Sequence, residues 1–347
     1  MGCSVLAPYV AWRMRRLAHG ENSVRLPRTF CAFFASTFNM RRRLLRILLI
    51  LLLFPPAFAA VGGWLAAPAF LHPIRRLLTP DLVVEADVSF AGVRAHREEF
   101  DVRASDGALL RGWKVRPANP NGAWVLVFHG VADNRMGVLE QALILLRAGY
   151  GVTMMDARAH GESEGLVATY GWLERDDSRA IVDALIAEEH PRHIYALGES
   201  MGAGIALQAA GADARIEAVV AEAPFASLRE ASYDYAGLQK YPLLGKTIFA
   251  PGAWMMLHRG QSLAGFPAAD VSPEIAVATR AFPVLLICDT ADTTLPCRHA
   301  ERIFRAARGP KSLWEVPRAF HTAALAYQPE EFRRRVLQFF ADPTTAP

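Results

Sequence analysis

Apolar positions recur along this chain with two periods, about 2 and about 3.6 residues, and beyond residue 95 the two alternate. Residues 99–103 and 108–115, on either side of the turn Ser105-Asp106-Gly107, predict an opening antiparallel pair of strands. The run 124–128 is almost wholly apolar, the pattern of a strand buried on both faces. Residues 136–146 predict a helix ended by Gly149, residues 152–155 a strand, and residues 172–189 a long amphipathic helix with Ile181, Leu185 and Ile186 inward. Further strands are predicted over 193–197, 216–221, 284–287 and 312–316, and helices over 203–210 and 330–341. This alternation predicts an α/β fold, a mostly parallel sheet with helices on both faces and a site at the carboxyl ends of its strands. Between residues 224 and 282 the alternation lapses in a stretch rich in aromatics and methionine, including Trp254, Met255 and Met256. A structureless loop of that length is unusual in a compact domain, so residues 225–281 predict a small helical cap over the site, with a peripheral helical hairpin as the alternative.

The pattern before residue 72 is of another kind. Residues 47–71 carry no formal charge, with Arg41, Arg42, Arg43 and Arg46 before them and Arg75 and Arg76 after. Such a run is long enough to span ~30 Å of hydrocarbon as a helix. The heavier arginine load precedes it, so the positive-inside rule puts the N-terminus in the cytoplasm and the rest of the chain outside. Pro55-Pro56 predicts a kink or a break in the helix. Ala57-Phe58-Ala59 has the form of a cleavage site, so the alternative is an exported chain cut after Ala59. The expected organisation is a basic segment 1–43, an anchor or signal 44–71, a linker 72–94 and a folded domain 95–342.

Charge changes the picture once it is divided along the chain. The sequence as a whole is basic, but residues 1–80 hold a net charge of +10 and the remainder −6. The folded part is mildly acidic, which argues against nucleic acid as a partner. With 52% hydrophobic and 21% charged residues the composition is that of a globular protein with a sizeable core. Four cysteines are too few for a disulfide scaffold; Cys288 and Cys297, nine residues apart, are either a local bridge outside the cytoplasm or two free thiols. No metal-ligand spacing is present, and no cofactor is expected.

Gly198-Glu199-Ser200-Met201-Gly202 matches G-x-S-x-G between a predicted strand and a predicted helix, the strand–turn–helix setting that the motif needs. With Phe128-His129-Gly130, the run from Asp156 to Ser163, an acid turn near 289–292 and a late His321, it makes an ordered set of landmarks. On these residues the chain resembles the α/β-hydrolase superfamily, particularly the group of serine aminopeptidases and monoglyceride lipases, over residues 95–342. The resemblance implies an α/β-hydrolase fold and an acyl-enzyme on Ser200, formed from an ester, thioester or amide substrate, with a peptide as the alternative. A hydroxyl is a weak nucleophile at its ordinary pKa and needs a base, for which His321 is expected. His129 is expected in the oxyanion turn, His160 in the loop after residue 155, His258 in the cap and His299 in a late helix. Relatives with H-G-x-x-D at the acid turn imply Asp292 as the triad acid, although Cys288-Asp289 replaces H-G and leaves Asp289 as a second carboxylate. The oxyanion donors are expected to be the backbone N–H groups of Met201 and, by the resemblance, Val131. Asn134 and Arg135 are either part of this oxyanion loop or surface turn residues. Asp156, Arg158 and His160 are expected to brace the loop beside the site, and Glu222 to be structural. The reading from another class is a non-catalytic binding protein tethered to the membrane.

Overall fold

A computed structural model describes residues 28–235 and 241–345, and the chain divides into two units, residues 1–55 and 56–347. Cys3 and the basic segment through residue 27 lie outside the described residues, as does the side chain of Cys31. Helix α1 (Arg28–Leu71) carries the apolar run. It includes Met40–Leu71, 32 residues that are long and apolar enough to cross a membrane, with a mean hydropathy of 2.4 in their most apolar stretch. Helical geometry continues through Pro55 and Pro56, where the sequence predicts a kink or a break. Each proline removes one donor, but its fixed φ of about −65° already suits a helix. In the first unit residues 40–54 are exposed.

In the second unit the end of α1 is packed, with Ala67 and Leu71 buried. Next comes α2 (Pro80–Gly92), with proline in its first turn, where a missing N–H is harmless. The sequence reading takes residues 72–94 as a linker, but Ala86 and Phe90 of α2 are buried against the sheet, so the segment belongs to the folded body. The strands β1 (His96–Glu99), β2 (Val102–Arg103), β3 (Leu109–Leu110) and β4 (Gly112–Arg116) are short and antiparallel: β1 pairs with β4, and β2 with β3. Then follow β5 (Ala123–Phe128), α3 (Leu139–Arg147), β6 (Gly151–Met155), α4 (Glu174–Glu189), β7 (His193–Glu199), α5 (Met201–Ala212) and β8 (Ile216–Glu222).

Between β8 and β9 (Val284–Asp289) the chain is helical: α6 (Leu228–Tyr235), α7 (Ala250–Ala264), short turns and α8 (Pro273–Thr279); the expected cap comprises α6 and α7, whereas Val277 of α8 is buried in the main core. After β9 come α9 (Arg298–Ala306), β10 (Lys311–Val316), α10 (Ala324–Tyr327) and α11 (Pro329–Ala341). The main sheet has eight strands in the order β1-β4-β6-β5-β7-β8-β9-β10. Strands β6 to β10 in that order pair in parallel, and β1 and β4 form an antiparallel edge. This is the α/β-hydrolase arrangement.

Period-two alternation splits the core into two layers. Trp124, Leu126 and Phe128 of β5 join Ile181 of α4 and Ile205 of α5 on one face, while Val125 and Val127 join Leu145 of α3 and Phe339 of α11 on the other. Both faces of the central strands are therefore dry, which is why β5 reads as a continuous apolar run.

Candidate active site

Ser200 stands between the last residue of β7 and the first of α5, with φ 52° and ψ −116°. A non-glycine residue held there costs about 1–3 kcal/mol, and the turn is forced by its neighbours. A β-carbon at Gly198 would lie 2.3 Å from the carbonyl oxygen of Gly202, and one at Gly202 would lie 2.2 Å from that of Phe128. Only glycines let strand, turn and helix approach this closely. The Ser200 N–H donates to the Glu222 carbonyl at 2.9 Å, which fixes the turn to β8.

His321 comes from the turn after β10 and Asp292 from the turn after β9, so two neighbouring strands deliver both to Ser200. The His321 Nε2 atom is 2.8 Å from Ser200 Oγ, and Nδ1 is 2.6 Å from Asp292 Oδ2. With its proton on Nδ1, the ring donates to Asp292 and accepts from the serine hydroxyl. Asp292 Oδ1 accepts the backbone N–H groups of Thr294 at 2.6 Å and Leu295 at 2.9 Å, so both oxygens of this buried carboxylate are held. Asp289 stands apart from His321's hydrogen bonds; burial, reinforced by Asp292, pushes its carboxyl up to about 6.

The four other histidines singled out in the sequence, His129, His160, His258 and His299, have structural partners. His129 is buried, accepts the Ala157 N–H at Nε2 and places Nδ1 2.7 Å from the Gly130 carbonyl, an arrangement that suits a neutral ring, and burial lowers its pKa. His160 is pulled down to about 4 by burial and the nearby His129, with Nδ1 on the Arg158 carbonyl at 2.9 Å. His299 lies buried 2.7 Å from Asp234, and His258 stacks on Trp254 in the cap.

Met201 is the first residue of α5, where a helix leaves N–H groups without intrahelical partners. Val131 lines the cavities on both sides of Ser200. The loop that carries Val131 is braced from below. Arg135, one of the two residues left open between loop and surface roles, is fully buried and grips Asp156 Oδ2 through Nη2 at 2.7 Å. Its backbone N–H and Nε both reach Asp156 Oδ1, and Asn134 is buried as well, so neither is a surface residue. Arg158 makes a second buried pair with Asp177, at 2.7 and 2.6 Å.

Two cavities meet at Ser200. One, about 380 Å³, is apolar and runs between Met201, Tyr170, Leu295, Met256 of the cap, and Ala66 and Phe70 of α1. The other, about 300 Å³, is polar and lined by Asp133, Glu199, Thr294, His321 and Thr322. Glu199 is buried and accepts from Gln141 at 3.1 Å; desolvation, with Asp133 close by, pushes its carboxyl up to about 8. Glu222 is raised well above the ordinary range by complete burial and by Asp289 and Glu199, and it accepts the Ala324 N–H at 2.9 Å. Cys288 and Cys297 are disulfide-bonded, which resolves the two alternatives in favour of the bridge and closes the loop that carries Asp292. No group of three or more potential metal ligands occurs among the described residues.

A family model described as serine aminopeptidase, S33, matches residues 119–249. YfhR, an uncharacterized protein of Salmonella typhimurium, is 30% identical over 239 residues, covering 67% of this chain and 77% of that protein. The chain belongs to the serine aminopeptidase S33 family of α/β-hydrolases. Another relative is YqkD, an uncharacterized protein of Bacillus subtilis, 29% identical over 257 residues, or 73% of this chain and 82% of YqkD. Among solved structures, the esterase Pf2001 of Pyrococcus furiosus superposes with a TM-score of 0.62 at 22% identity, over 80% of this chain and 99% of its own. An acylaminoacyl peptidase of Pyrococcus horikoshii superposes with a TM-score of 0.55 at 16% identity, over 72% of this chain and 42% of its own. At these identities the solved structures speak to the fold.

Two parts of the site escape the sequence reading. One is the acidic lining of the polar cavity, whose residues Asp133 and Glu199 are 66 positions apart. The other is the end of α1, for which a signal exists: the first half of the apolar run is leucine-rich, whereas Gly62, Gly63, Ala66, Ala67 and Ala69 make the second half small. Small residues in such a run mark close packing.

Proposed function

We propose that this chain is a membrane-anchored serine hydrolase that cleaves carboxylic esters bearing an apolar acyl group. The observation that carries this reading is the continuous hydrogen-bonded line from Ser200 Oγ through His321 to Asp292. In the first half-reaction Ser200 Oγ attacks the carbonyl carbon as its proton passes to His321 Nε2, and the carbonyl oxygen becomes an oxyanion facing the N–H groups of Met201 and Val131. The intermediate collapses, the bond to the leaving oxygen breaks, and that oxygen takes the proton from His321. Water then repeats the cycle in reverse order, releasing the acid and restoring Ser200. Asp292 holds the imidazole tautomer and stabilises its protonated form.

The two cavities favour an ester with an apolar acyl group and a hydroxylated leaving group. An acyl chain suits the apolar side, whose volume is within the ~300–1,000 Å³ of small-molecule sites. On the other side, Asp133 and Glu199 support a second reading, an aminopeptidase whose substrate ammonium group sits between carboxylates. Against it, Asp133 pairs with Arg76 at 3.0 Å, and a Glu199 carboxyl pushed up to about 8 is mostly neutral at pH 7. A neutral hydroxylated leaving group suits that lining better.

The apolar length of α1 and the arginines before it support an anchor with the hydrolase domain on the non-cytoplasmic side. The Cys288–Cys297 bridge supports the same side, since disulfides persist in oxidising compartments. Carbonate extraction checks the anchor: protein retained in the pellet is expected, and release would favour export after cleavage at Ala59.

A fluorophosphonate probe tests the nucleophile. It is expected to label the wild type and not Ser200→Ala; labelling that survives the substitution overturns the assignment, and a folded wild type that fails to label favours a binding protein. p-Nitrophenyl esters of graded chain length, set against aminoacyl-p-nitroanilides, then separate esterase from peptidase.

A further inference from the structure

The apolar cavity at Ser200 is walled in part by the helix that carries the membrane-length run. Ala66, Ala69 and Phe70 of α1, with Pro73 and Ile74 just beyond it, line the same space as Ser200, Met201 and Met256. We infer that the last turns of α1 form one wall of the acyl site, and that the substrate is a bilayer-resident ester whose chain enters along this wall from the lipid. This rests on the ester-hydrolase reading and names the substrate class for it.

The wall is built into the domain rather than trailing from it. Gly63 meets Gly252 of α7 backbone to backbone, since a β-carbon at Gly63 would lie 1.9 Å from the Gly252 carbonyl oxygen. The Arg259 guanidinium covers the Trp64 ring at 3.4 Å and donates to the Trp64 carbonyl. Tyr170 Oη donates to the Phe70 carbonyl at 2.7 Å, its ring stacks on Phe70 at 4.8 Å, and the Ala168 N–H donates to the Leu71 carbonyl at 2.9 Å. Beyond the helix, Arg75 donates to the Ser163 carbonyl at 2.7 Å, and Asn134 donates to the Arg76 carbonyl at 2.9 Å. Asn134 follows the loop that carries Val131, so the membrane-proximal segment and the oxyanion loop share a hydrogen bond.

Depth along the sequence agrees with this. The uncharged run begins at Ile47, and a helix needs about 20 residues to cross the hydrocarbon, so Ala66 to Phe70 fall at its far boundary. Trp64 has the residue type found at such boundaries, and Arg75 and Arg76 lie where headgroups begin. Ile74 lines the cavity and is nevertheless 82% exposed, which places an apolar residue at the mouth. A soluble substrate gains nothing from a mouth of this kind; an acyl chain moving from lipid into it never crosses water, so no apolar surface is hydrated on the way.

The test uses the full-length protein in phosphatidylcholine liposomes and a long-chain alkyl fluorophosphonate carrying a diazirine at the chain end. Illumination after labelling is expected to crosslink the chain to the tryptic peptide spanning residues 47–75, within residues 63–75. Labelling of Ser200 with crosslinks confined to other peptides overturns this inference alone; failure to label Ser200 overturns the ester-hydrolase reading and this inference with it. As a second measurement, Ala66→Phe is expected to lower the ratio of long-chain to short-chain ester kcat/KM by about tenfold or more, because it fills space that an acyl chain of several methylenes would occupy. Val61→Phe, on the same helix but outside the cavity, is expected to leave that ratio unchanged, and equal ratios in the two variants overturn the assignment.

Discussion

The α-carbon of Gly202, in the first turn of α5, faces the carbonyl of Phe128 at the end of β5 so closely that a β-carbon would come within 2.2 Å of that oxygen and 2.7 Å of the next, on His129. Both obstacles are backbone, so neither can rotate away. Gly202→Ala must push α5 from β5, and β5 leads directly into the loop with Val131 while α5 begins with Met201. A loss of about 1–3 kcal/mol in stability is expected from the overpacking. On the proposed function, ester hydrolysis should fall about 100-fold or more, because the two proposed oxyanion donors are spread apart. Urea unfolding and p-nitrophenyl ester kinetics measure the two losses separately; a variant with wild-type kinetics would refute the proposed donors.

Arg135 and Asp156 form a pair with both side chains fully buried, and Asp156 also receives the Arg135 and Glu162 backbone N–H groups. Removing Asp156 leaves the buried Arg135 with Glu162, 2.8 Å from its Nη2, as its remaining charged partner. Asp156→Ala is expected to destabilise the domain by about 3–5 kcal/mol. The double variant Arg135→Met/Asp156→Ala should recover part of that loss, since no unpaired charge remains. Thermal unfolding of the three proteins measures the coupling; equal destabilisation in single and double variants would contradict it.

Cys288 ends the apolar part of β9 and Cys297 precedes α9, so their bridge closes the turn that carries Asp292. A loop of this size restricts the unfolded chain by about 2–3 kcal/mol. Cys297→Ser, or treatment with dithiothreitol, is expected to lower the unfolding temperature and to reduce kcat more than KM, because Asp292 positions His321 rather than the substrate. Kinetics with and without reductant check this; activity indifferent to reduction would mean the Asp292 turn holds itself.

The parts of this molecule legible in its sequence are those set by local chemistry. The β5 run, the Gly-Glu-Ser-Met-Gly turn and the alternation of strands and helices each follow from residues a few positions apart. What stayed hidden depends on distant partners. Arg135 stays open in the sequence between the oxyanion loop and a surface turn because a charged side chain is seldom buried, and its partner Asp156 lies 21 positions on. Helix α2 shows little amphipathic contrast, with Val84 and Val88 exposed while Ala86 and Phe90 are buried, so its sequence reads as a linker. A spacing of nine does not say whether Cys288 and Cys297 bond. Ser200, Asp292 and His321 can be singled out by type and order, but the 2.8 and 2.6 Å separations require the ends of β7, β9 and β10, with β8 between the first two, to lie along one edge of the sheet.

Glu199 makes stability depend on pH in a direction opposite to that of most carboxylates. In the unfolded chain its carboxyl titrates near 4.5, whereas in the folded protein desolvation keeps it protonated up to about 8. Between those values the folded state retains a proton that the unfolded state has released, so stability falls as pH rises through the window and levels off above it. Glu199→Gln can retain a hydrogen bond to Gln141 and removes the titration. The variant is therefore expected to gain on the wild type steadily from about pH 5 to about pH 8, and to show no further gain beyond. Glu222 and Asp289, also raised, tilt both curves, and because Glu199 helps to raise Glu222 the difference between the two curves reports Glu199 together with its coupling to these neighbours. Thermal unfolding of wild type and Glu199→Gln at one-unit pH intervals measures it; a difference that stays constant with pH would show that Glu199 is ionised in the folded protein.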